Sequence, residues 1–207
     1  IRDRFQDAAG QVACDTCGAG SVTNTLSQPA ATMCTVCTAG QYSEVSTTAC
    51  AQCAAGRYQG SVAQTSCLVC SAGSVTNTLS NTNATTCTAC VAGQYNSAST
   101  SACATCNAGS TTNTLNDSGA TACTQCSAGT ADLDSDSKTS CTNCTAGSVT
   151  NTLSQPAATT CTACAAGQYS QVSTTACAAC SAGQYQGNVG QTSCAECSAG
   201  SVTNTLS

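Results

Sequence analysis

Residues 34–40 read Cys-Thr-Val-Cys-Thr-Ala-Gly, and this motif, Cys-x-x-Cys-x-Ala-Gly, occurs eleven times in the 207-residue chain. The motifs contain all 22 cysteines, so every cysteine belongs to a Cys-x-x-Cys pair, which we call a node. The nodes lie at 14–17, 34–37, 50–53, 67–70, 87–90, 103–106, 123–126, 141–144, 161–164, 177–180 and 194–197. The sequence therefore predicts one tandem array over 1–207, with repeats of 16–20 residues.

The length of a repeat and its sequence go together. Repeats of 20 residues read Ser-Val-Thr-Asn-Thr-Leu or a close variant after the glycine of the motif, as at 21–26, whereas repeats of 16 and 17 residues have tyrosine two positions after that glycine. A longer duplication is superimposed, because residues 14–80 align without a gap with 141–207 and 53 of these 67 positions are identical. Such periods are typical of rods or solenoids in which each repeat contacts mainly its neighbours.

Large apolar side chains are scarce in this chain. Leu, Ile, Val and Phe number 21 of 207 residues, about 10%, which is too few for a packed interior. Disulfide bridges are the expected substitute, because a bridge that closes a loop of about 15 residues contributes on the order of 3 kcal/mol. The expected fold is an elongated solenoid or rod of small disulfide-rich repeats, with short β-hairpins and loops, little helix and no central hydrophobic core. The glycine of each motif, the node glycine, is expected at positive φ.

Two disulfide schemes fit the spacing, and both remain open at this point. In a ladder, the second cysteine of each node bonds the first cysteine of the next node; in the alternative, neighbouring nodes pair first to first and second to second. The nodes are equivalent, odd in number and unevenly spaced, which favours the ladder, because the alternative needs an even number of nodes. The ladder consists of Cys17–Cys34, Cys37–Cys50, Cys53–Cys67, Cys70–Cys87, Cys90–Cys103, Cys106–Cys123, Cys126–Cys141, Cys144–Cys161, Cys164–Cys177 and Cys180–Cys194, and it leaves Cys14 and Cys197 facing outward along the array.

The composition also restricts the compartment and the partners. Bridges at this density persist in oxidising compartments, which indicates an extracellular or cell-surface protein. Charged residues are 6% of the chain and the net charge is −5, so no basic surface is expected for nucleic acid. No apolar run is long enough for a transmembrane helix, and we expect no membrane insertion within this chain.

Both ends of the array fall inside a repeat. Residues 4–14 match 57–67, and 201–207 begin a 20-residue repeat without its closing node. Two interpretations follow. The chain is a window of a longer protein, or half-repeats of successive copies complete each other in a head-to-tail homopolymer, since heterologous contacts of this kind do not close.

The pattern Cys-x-x-Cys-x-Ala-Gly-x-Tyr, which ends at Tyr42 and again at Tyr169, resembles the cysteine-rich repeats called ephrin-receptor-like or growth-factor-receptor-like. The Ala-, Thr- and Ser-rich form is similar to the cysteine-rich surface antigens of ciliates and other protists. This resemblance covers nearly the whole chain. It implies an extended, disulfide-stapled surface protein and supplies no catalytic residue.

The cysteine nodes and one cluster of aspartates are the candidates for metal binding. Successive nodes have the spacing of a four-cysteine zinc site, but pairing of nodes leaves one of eleven without a partner and the chain has no histidine. Asp132, Asp134 and Asp136 are a weak calcium candidate that lacks the later Gly and Glu of an EF-hand loop, and a solvated acidic loop is the simpler interpretation. We expect no cofactor and no enzymatic activity, because no histidine or paired carboxylate is present for acid–base work.

Modification by glycans has clearer support. Asn83, Asn116 and Asn143 each begin an Asn-x-Ser/Thr sequon, the last one weakened by the cysteine at its middle position. The tyrosines after the node glycines, Tyr42, Tyr58, Tyr95, Tyr169 and Tyr185, are expected to cover neighbouring disulfides, with carbohydrate stacking as the functional alternative.

Two functions are consistent with these observations. The first is a glycosylated structural protein of an extracellular coat, appendage or filament, whose main partner is itself. The alternative is the stalk or ligand-binding ectodomain of a surface receptor or adhesin. Near-identity of the two long blocks favours a scaffold, and the sequence of 130–140 is the one that stands apart.

Overall fold

The computed structural model describes residues 4–6, 8–9 and 15–203, which form a succession of two-stranded hairpins. These residues contain no helix. After the first hairpin, each hairpin begins directly behind a node glycine, and its second strand lies at the following node. The predicted class, small disulfide-rich repeats built from short hairpins, is confirmed.

Strand length follows repeat length. The 20-residue repeats have antiparallel strands of three residues, and the others have strands of two residues. The three-residue hairpins are β3 (Ser21–Thr23) with β4 (Cys34–Val36), β9 (Ser74–Thr76) with β10 (Cys87–Ala89), β13 (Ser110–Thr112) with β14 (Cys123–Gln125), and β17 (Ser148–Thr150) with β18 (Cys161–Ala163). The two-residue hairpins are β1 (Arg4–Phe5) with β2 (Asp15–Thr16), β5 (Gln41–Tyr42) with β6 (Ala51–Gln52), β7 (Arg57–Tyr58) with β8 (Leu68–Val69), β11 (Gln94–Tyr95) with β12 (Ala104–Thr105), β15 (Thr130–Ala131) with β16 (Thr142–Asn143), β19 (Gln168–Tyr169) with β20 (Ala178–Ala179), and β21 (Gln184–Tyr185) with β22 (Ala195–Glu196).

The sequence Thr-Asn-Thr-Leu fixes the turn of each 20-residue repeat through side-chain hydrogen bonds. In the first copy the Thr23 hydroxyl donates to the Leu26 carbonyl over 2.8 Å, and the Asn24 carboxamide donates to Thr32 Oγ1 over 2.9 Å and accepts from the Thr32 N–H over 3.1 Å. Equivalent bonds occur in the other three copies. Three-residue strands and their turn are therefore encoded by one hexapeptide.

These turns place leucine in a backbone region that usually takes glycine. The φ angles of Leu26, Leu79, Leu115 and Leu153 lie between 51° and 54°. A Cβ in the left-handed region costs roughly 1–2 kcal/mol. The threonine hydroxyl bonded to each leucine carbonyl offsets this cost locally.

The interior consists of small side chains. The largest fully buried side chains among the described residues are four threonines and five cysteines: Thr23, Thr76, Thr112, Thr150, Cys37, Cys53, Cys90, Cys126 and Cys164. Many of the larger apolar residues lie on the surface, including Val36, Leu68 and Val69 on strands at the nodes. The expectation of repeats without a central hydrophobic core is met.

The chain divides into two compact parts. One comprises Ile1–Val91 with Asn96–Ala104, and the other comprises Ala92–Tyr95 with Thr105–Ser207. Each part contains hairpins of both strand lengths, so the same construction is used in both.

All eleven node glycines have positive φ, between 75° and 85°. An L-residue is disfavoured at such angles, and glycine is not. The predicted role of these glycines in turning the chain out of each node is confirmed.

Candidate functional site

Disulfides connect every pair of successive nodes in the described chain. The ten bridges join the second cysteine of one node to the first cysteine of the next, with Cα–Cα distances of 5.5–5.7 Å and sequence separations of 13–17 residues. They are the ten pairs of the ladder scheme, and the in-register scheme is not the one adopted. Cys197 is the one free cysteine in the described part of the chain, and Cys14 lies outside the described residues.

A loop of the following repeat covers many of the nodes; we call it the covering loop. Its central residue has positive φ and donates its N–H to the carbonyl of the second cysteine of the node. In the first part, Ala63 bonds Cys37 over 2.9 Å and Asn83 bonds Cys53 over 2.8 Å. In the second part, Ala157 bonds Cys126 and Gly190 bonds Cys164, both over 2.8 Å. These four cysteines have at most 1% of their surface exposed, so covering loops shield one side of each disulfide, while the partner cysteines stay half-exposed.

Covering loops also add a backbone pairing to the strand behind the node. Tyr58 and Ala84 form a parallel bridge, and the Gln59 N–H donates to the Ala84 carbonyl over 3.0 Å. Ala131 and Ala158 form the same bridge in the second part, with the Asp132 N–H bonded to the Ala158 carbonyl. At these places a repeat is held to the next one by main-chain bonds as well as by a disulfide.

Several node glycines lie close to the chain of a repeat two places further on. A Cβ built on Gly40 would lie 2.6 Å from the Asn83 carbonyl oxygen, and one on Gly20 would lie 2.1 Å from the carbonyl of Ala63. In the second part a Cβ on Gly109 or Gly147 would likewise meet backbone, at Ala157 and Gly190. Glycine is therefore required at these positions for two reasons: the positive φ and the close approach of another backbone segment.

The acidic segment 132–136 is organised by local hydrogen bonds. Asp132 is buried, and its carboxylate accepts the N–H of the node glycine Gly109 over 3.1 Å. Elsewhere this type of glycine N–H bonds a main-chain carbonyl, as in Gly40 to Gln59 over 2.7 Å. Asp132 thus has a structural partner that the sequence did not reveal.

The other two aspartates hold the turn that follows. The Asp136 N–H and the Thr139 hydroxyl donate to the Asp134 carboxylate. These bonds lower the pKa of Asp134 below its usual 3.8, and the bond from Asp136 has the larger effect. Asp136 forms a surface ion pair of 3.3 Å with Lys138. Across the described ranges, no group of three His, Cys, Asp or Glu side chains is placed to hold a metal ion.

The three sequons lie in different surroundings, although all three asparagines are exposed. Asn83 is the central residue of a covering loop, and Thr85 of its sequon accepts a hydrogen bond from Asn77 over 3.0 Å. Asn143 lies in β16, and its sequon contains the bridged Cys144. Asn116 lies in the loop between β13 and β14, and its side chain makes no hydrogen bond within the described residues.

The tyrosines occupy the second position of the first strand in their hairpins. Tyr42, Tyr58, Tyr95 and Tyr169 are half-buried, and Tyr185 is exposed. Tyr95 lines an open pocket of about 550 Å³ in the second part of the chain. That these five tyrosines cover neighbouring disulfides stays a prediction.

Comparison with known proteins identifies the type of repeat. Residues 40–84 and 167–207 match the family model described as tyrosine-protein kinase ephrin type A/B receptor-like. The two segments together make up less than half of the chain, and each begins at a node glycine. No curated protein matches the chain.

These two segments are therefore ephrin-receptor-like, as the sequence resemblance indicated. These repeats and the dense disulfides are typical of extracellular domains. None of the segments that the structure describes is a helix long and apolar enough to cross a membrane.

The pairing of cysteines can be tested with one substitution. In Cys106→Ser the ladder leaves Cys123 unpaired, so alkylation without reduction followed by peptide mapping should label Cys123. The in-register scheme would instead leave Cys90 or Cys126. Both Cys106 and Cys123 are half-exposed, so the released thiol is accessible. Label on Cys90 or Cys126, with Cys123 unlabelled, would contradict the ladder.

The covering contact can be tested with two equivalent glycines. Gly40 and Gly167 have the same φ of 82° and occupy the same position in the duplicated block, but a Cβ on Gly167 would meet nothing within 4 Å. In both alanine variants, backbone strain should lower the free energy of unfolding by roughly 1–2 kcal/mol. Gly40→Ala should also displace the loop at Asn83 and speed hydrogen exchange of the Asn83 amide about tenfold or more. Unchanged exchange in Gly40→Ala, or an equal effect of Gly167→Ala on the Asn83 amide, would show that the contact does not hold the loop.

Proposed function

We propose that these ephrin-receptor-like repeats form a structural protein of an extracellular coat, appendage or filament. The observation that carries the proposal is the recurrence of one inter-repeat contact along the chain. Each covering loop donates a main-chain N–H to the second cysteine of the node that opens the preceding repeat. The central residues of these loops are Ala63, Asn83, Ala157 and Gly190. Because this contact uses backbone atoms, it continues through repeats of different sequence.

The chemistry of the described residues supports a passive role. The proposal includes no catalytic activity, because the chain has no histidine and its three neighbouring aspartates are engaged in local bonds. Dense bridges, several of which have one cysteine buried under a covering loop, resist reduction and proteolysis, which suits material exposed outside a cell.

Surface side chains supply contacts for assembly with other copies. Val36, Leu68 and Val69 lie on strands at the nodes, with 49%, 53% and 61% of their surface exposed. Leu68 and Val69 are consecutive in β8, so their side chains lie on opposite faces of the hairpin, and each offers an exposed apolar contact for lateral association. We propose that the main partner of the chain is a further copy of itself.

Electron microscopy of the oxidised 207-residue chain tests this proposal. At high protein concentration we expect ordered fibres or sheets, which should be lost when the chain is reduced and alkylated, because the hairpins depend on their bridges. A Leu68→Ala/Val69→Glu variant, which carries the residues of the equivalent β22, is the matched test of lateral contact and should assemble less. Dispersed single particles under all conditions would contradict a structural role.

The alternative function is a stalk or ligand-binding ectodomain, and one observation favours it. The pocket at Tyr95 lies where a 16-residue repeat is followed by a 20-residue repeat, an order that occurs once in the chain. A position that occurs once suits a ligand site better than it suits a uniform scaffold.

Glycans are proposed as a further component, and the structure ranks the three sequons. We expect the main N-glycan at Asn116, because its side chain and that of Ser118 are exposed and have no hydrogen-bond partner among the described residues. By contrast, the sequon of Asn83 is held in a covering loop and that of Asn143 contains a bridged cysteine. Glycopeptide mass spectrometry on protein secreted from a glycosylating eukaryotic cell measures the occupancy of each site.

The matched variants are Asn116→Gln and Asn83→Gln. The first should remove most of the N-glycan mass and the second should leave it nearly unchanged. Higher occupancy at Asn83 or Asn143 than at Asn116, or an unmodified chain, would refute the ranking. Disulfide mapping of the same sample reports separately whether the chain folded in an oxidising compartment.

A further inference from the structure

The pocket at Tyr95 is an open depression of the surface. Its volume is about 550 Å³, it is open to solvent, and it lies entirely in the second part of the chain. Its polar and aromatic lining consists of Tyr95, Thr105, Asn107, Ser110, Thr124 and Gln125.

The walls of this pocket are fixed by the fold. Ser110 pairs with Gln125 across β13 and β14, and Cys123 at the same wall is bridged to Cys106. The backbone of Tyr95 forms a parallel bridge to the fully buried Ala120. A ligand that enters the pocket therefore meets side chains on a preformed backbone, which lowers the entropic cost of binding.

The chemistry of the lining selects a neutral polar ligand. No charged residue lines the pocket, so it offers neither a cation for a phosphate or sulfate nor a carboxylate for a metal ion. The carboxamides of Asn107 and Gln125 and the hydroxyls of Tyr95, Thr105 and Thr124 have no hydrogen-bond partner within the described residues. Each carboxamide donates and accepts, and so does each hydroxyl.

A saccharide matches this combination of an aromatic ring and unpaired amides. One face of a pyranose presents C–H groups, which pack on an aromatic ring by dispersion and apolar burial, while its rim presents hydroxyls that both donate and accept. We propose that the Tyr95 pocket binds a neutral saccharide unit of a glycan. This site is independent of the structural role proposed above.

Equivalent positions in the other 16-residue repeats lack this lining. The position of Gln125 corresponds to Val69 behind Tyr42 and to Glu196 behind Tyr169, and that of Asn107 corresponds to Ala54 and Ser181. The chain itself therefore shows that valine and alanine are tolerated by the fold at these two places. Variants that remove the amides can be made without disturbing the hairpins.

Binding can be measured by titrating the oxidised chain with neutral oligosaccharides of glucose, mannose, galactose and N-acetylglucosamine and following its amide resonances. We expect saturable shifts at residues of the pocket with at least one of these sugars. Tyr95→Ala should weaken the affinity about tenfold or more, and Asn107→Ala and Gln125→Val should each weaken it about fivefold. Tyr95→Phe keeps the ring and should retain most of the affinity.

Tyr169→Ala is the matched control, because it removes the equivalent tyrosine where the amides are absent. Its affinity should equal that of the unchanged chain. No saturable shift with any of the four sugars at millimolar concentration would overturn the proposal, as would an equal loss in Tyr169→Ala or unchanged affinity in both Gln125→Val and Asn107→Ala. Gln125→Val and Asn107→Ala introduce residues that already stand at the equivalent positions 69 and 54, so we expect both variants to fold. They keep the proposal testable even if Tyr95→Ala misfolds.

Discussion

The bond between the second cysteine of one node and the first cysteine of the next is the constraint on which the rest of this structure depends. Each bridge closes a hairpin of 13–17 residues, and in the chain-entropy model such a loop is worth on the order of 3 kcal/mol. Apolar burial could not replace it, because the buried side chains are mostly threonine, alanine and cysteine. The hairpins in turn place the node glycines and the covering loops, whose main-chain bonds hold successive repeats together.

Much of this arrangement could be predicted because its causes are local in sequence. Eleven equivalent nodes predict small disulfide-rich repeats, and the position of glycine behind each node predicts positive φ, as at Gly40 and Gly147. The side-chain hydrogen bonds of Thr23 and Asn24 were not predicted, although the hexapeptide that contains both residues recurs in the sequence. The positive φ of Leu26 could not be expected, since the penalty of a Cβ is offset only by a hydroxyl that the folded turn brings into place.

Contacts between repeats were the part that sequence reasoning could not supply. Gly40 and Asn83 are 43 residues apart, and no periodicity in the sequence says which loop covers which node. The same limit applies to Asp132, where three alternating aspartates indicated a calcium site or a solvated loop, and where the structure instead gives the first carboxylate a backbone N–H partner. The surroundings of Tyr95 follow from the order of repeats, so that the lining of the pocket depends on residues as far apart as 95 and 125.

The buried threonines of the 20-residue repeats restrict which repeat can follow which. Every 20-residue repeat in the described chain has a buried threonine whose N–H needs a serine carbonyl from a 16- or 18-residue successor, as in Thr23 with Ser46 and Thr112 with Ser137. A 20-residue repeat moved in front of a 17-residue repeat or another 20-residue repeat would lose this pairing, whereas a block copied with its neighbours keeps every pairing inside it. Duplication of long blocks, such as the one that relates 14–80 to 141–207, lengthens the array and keeps these pairings.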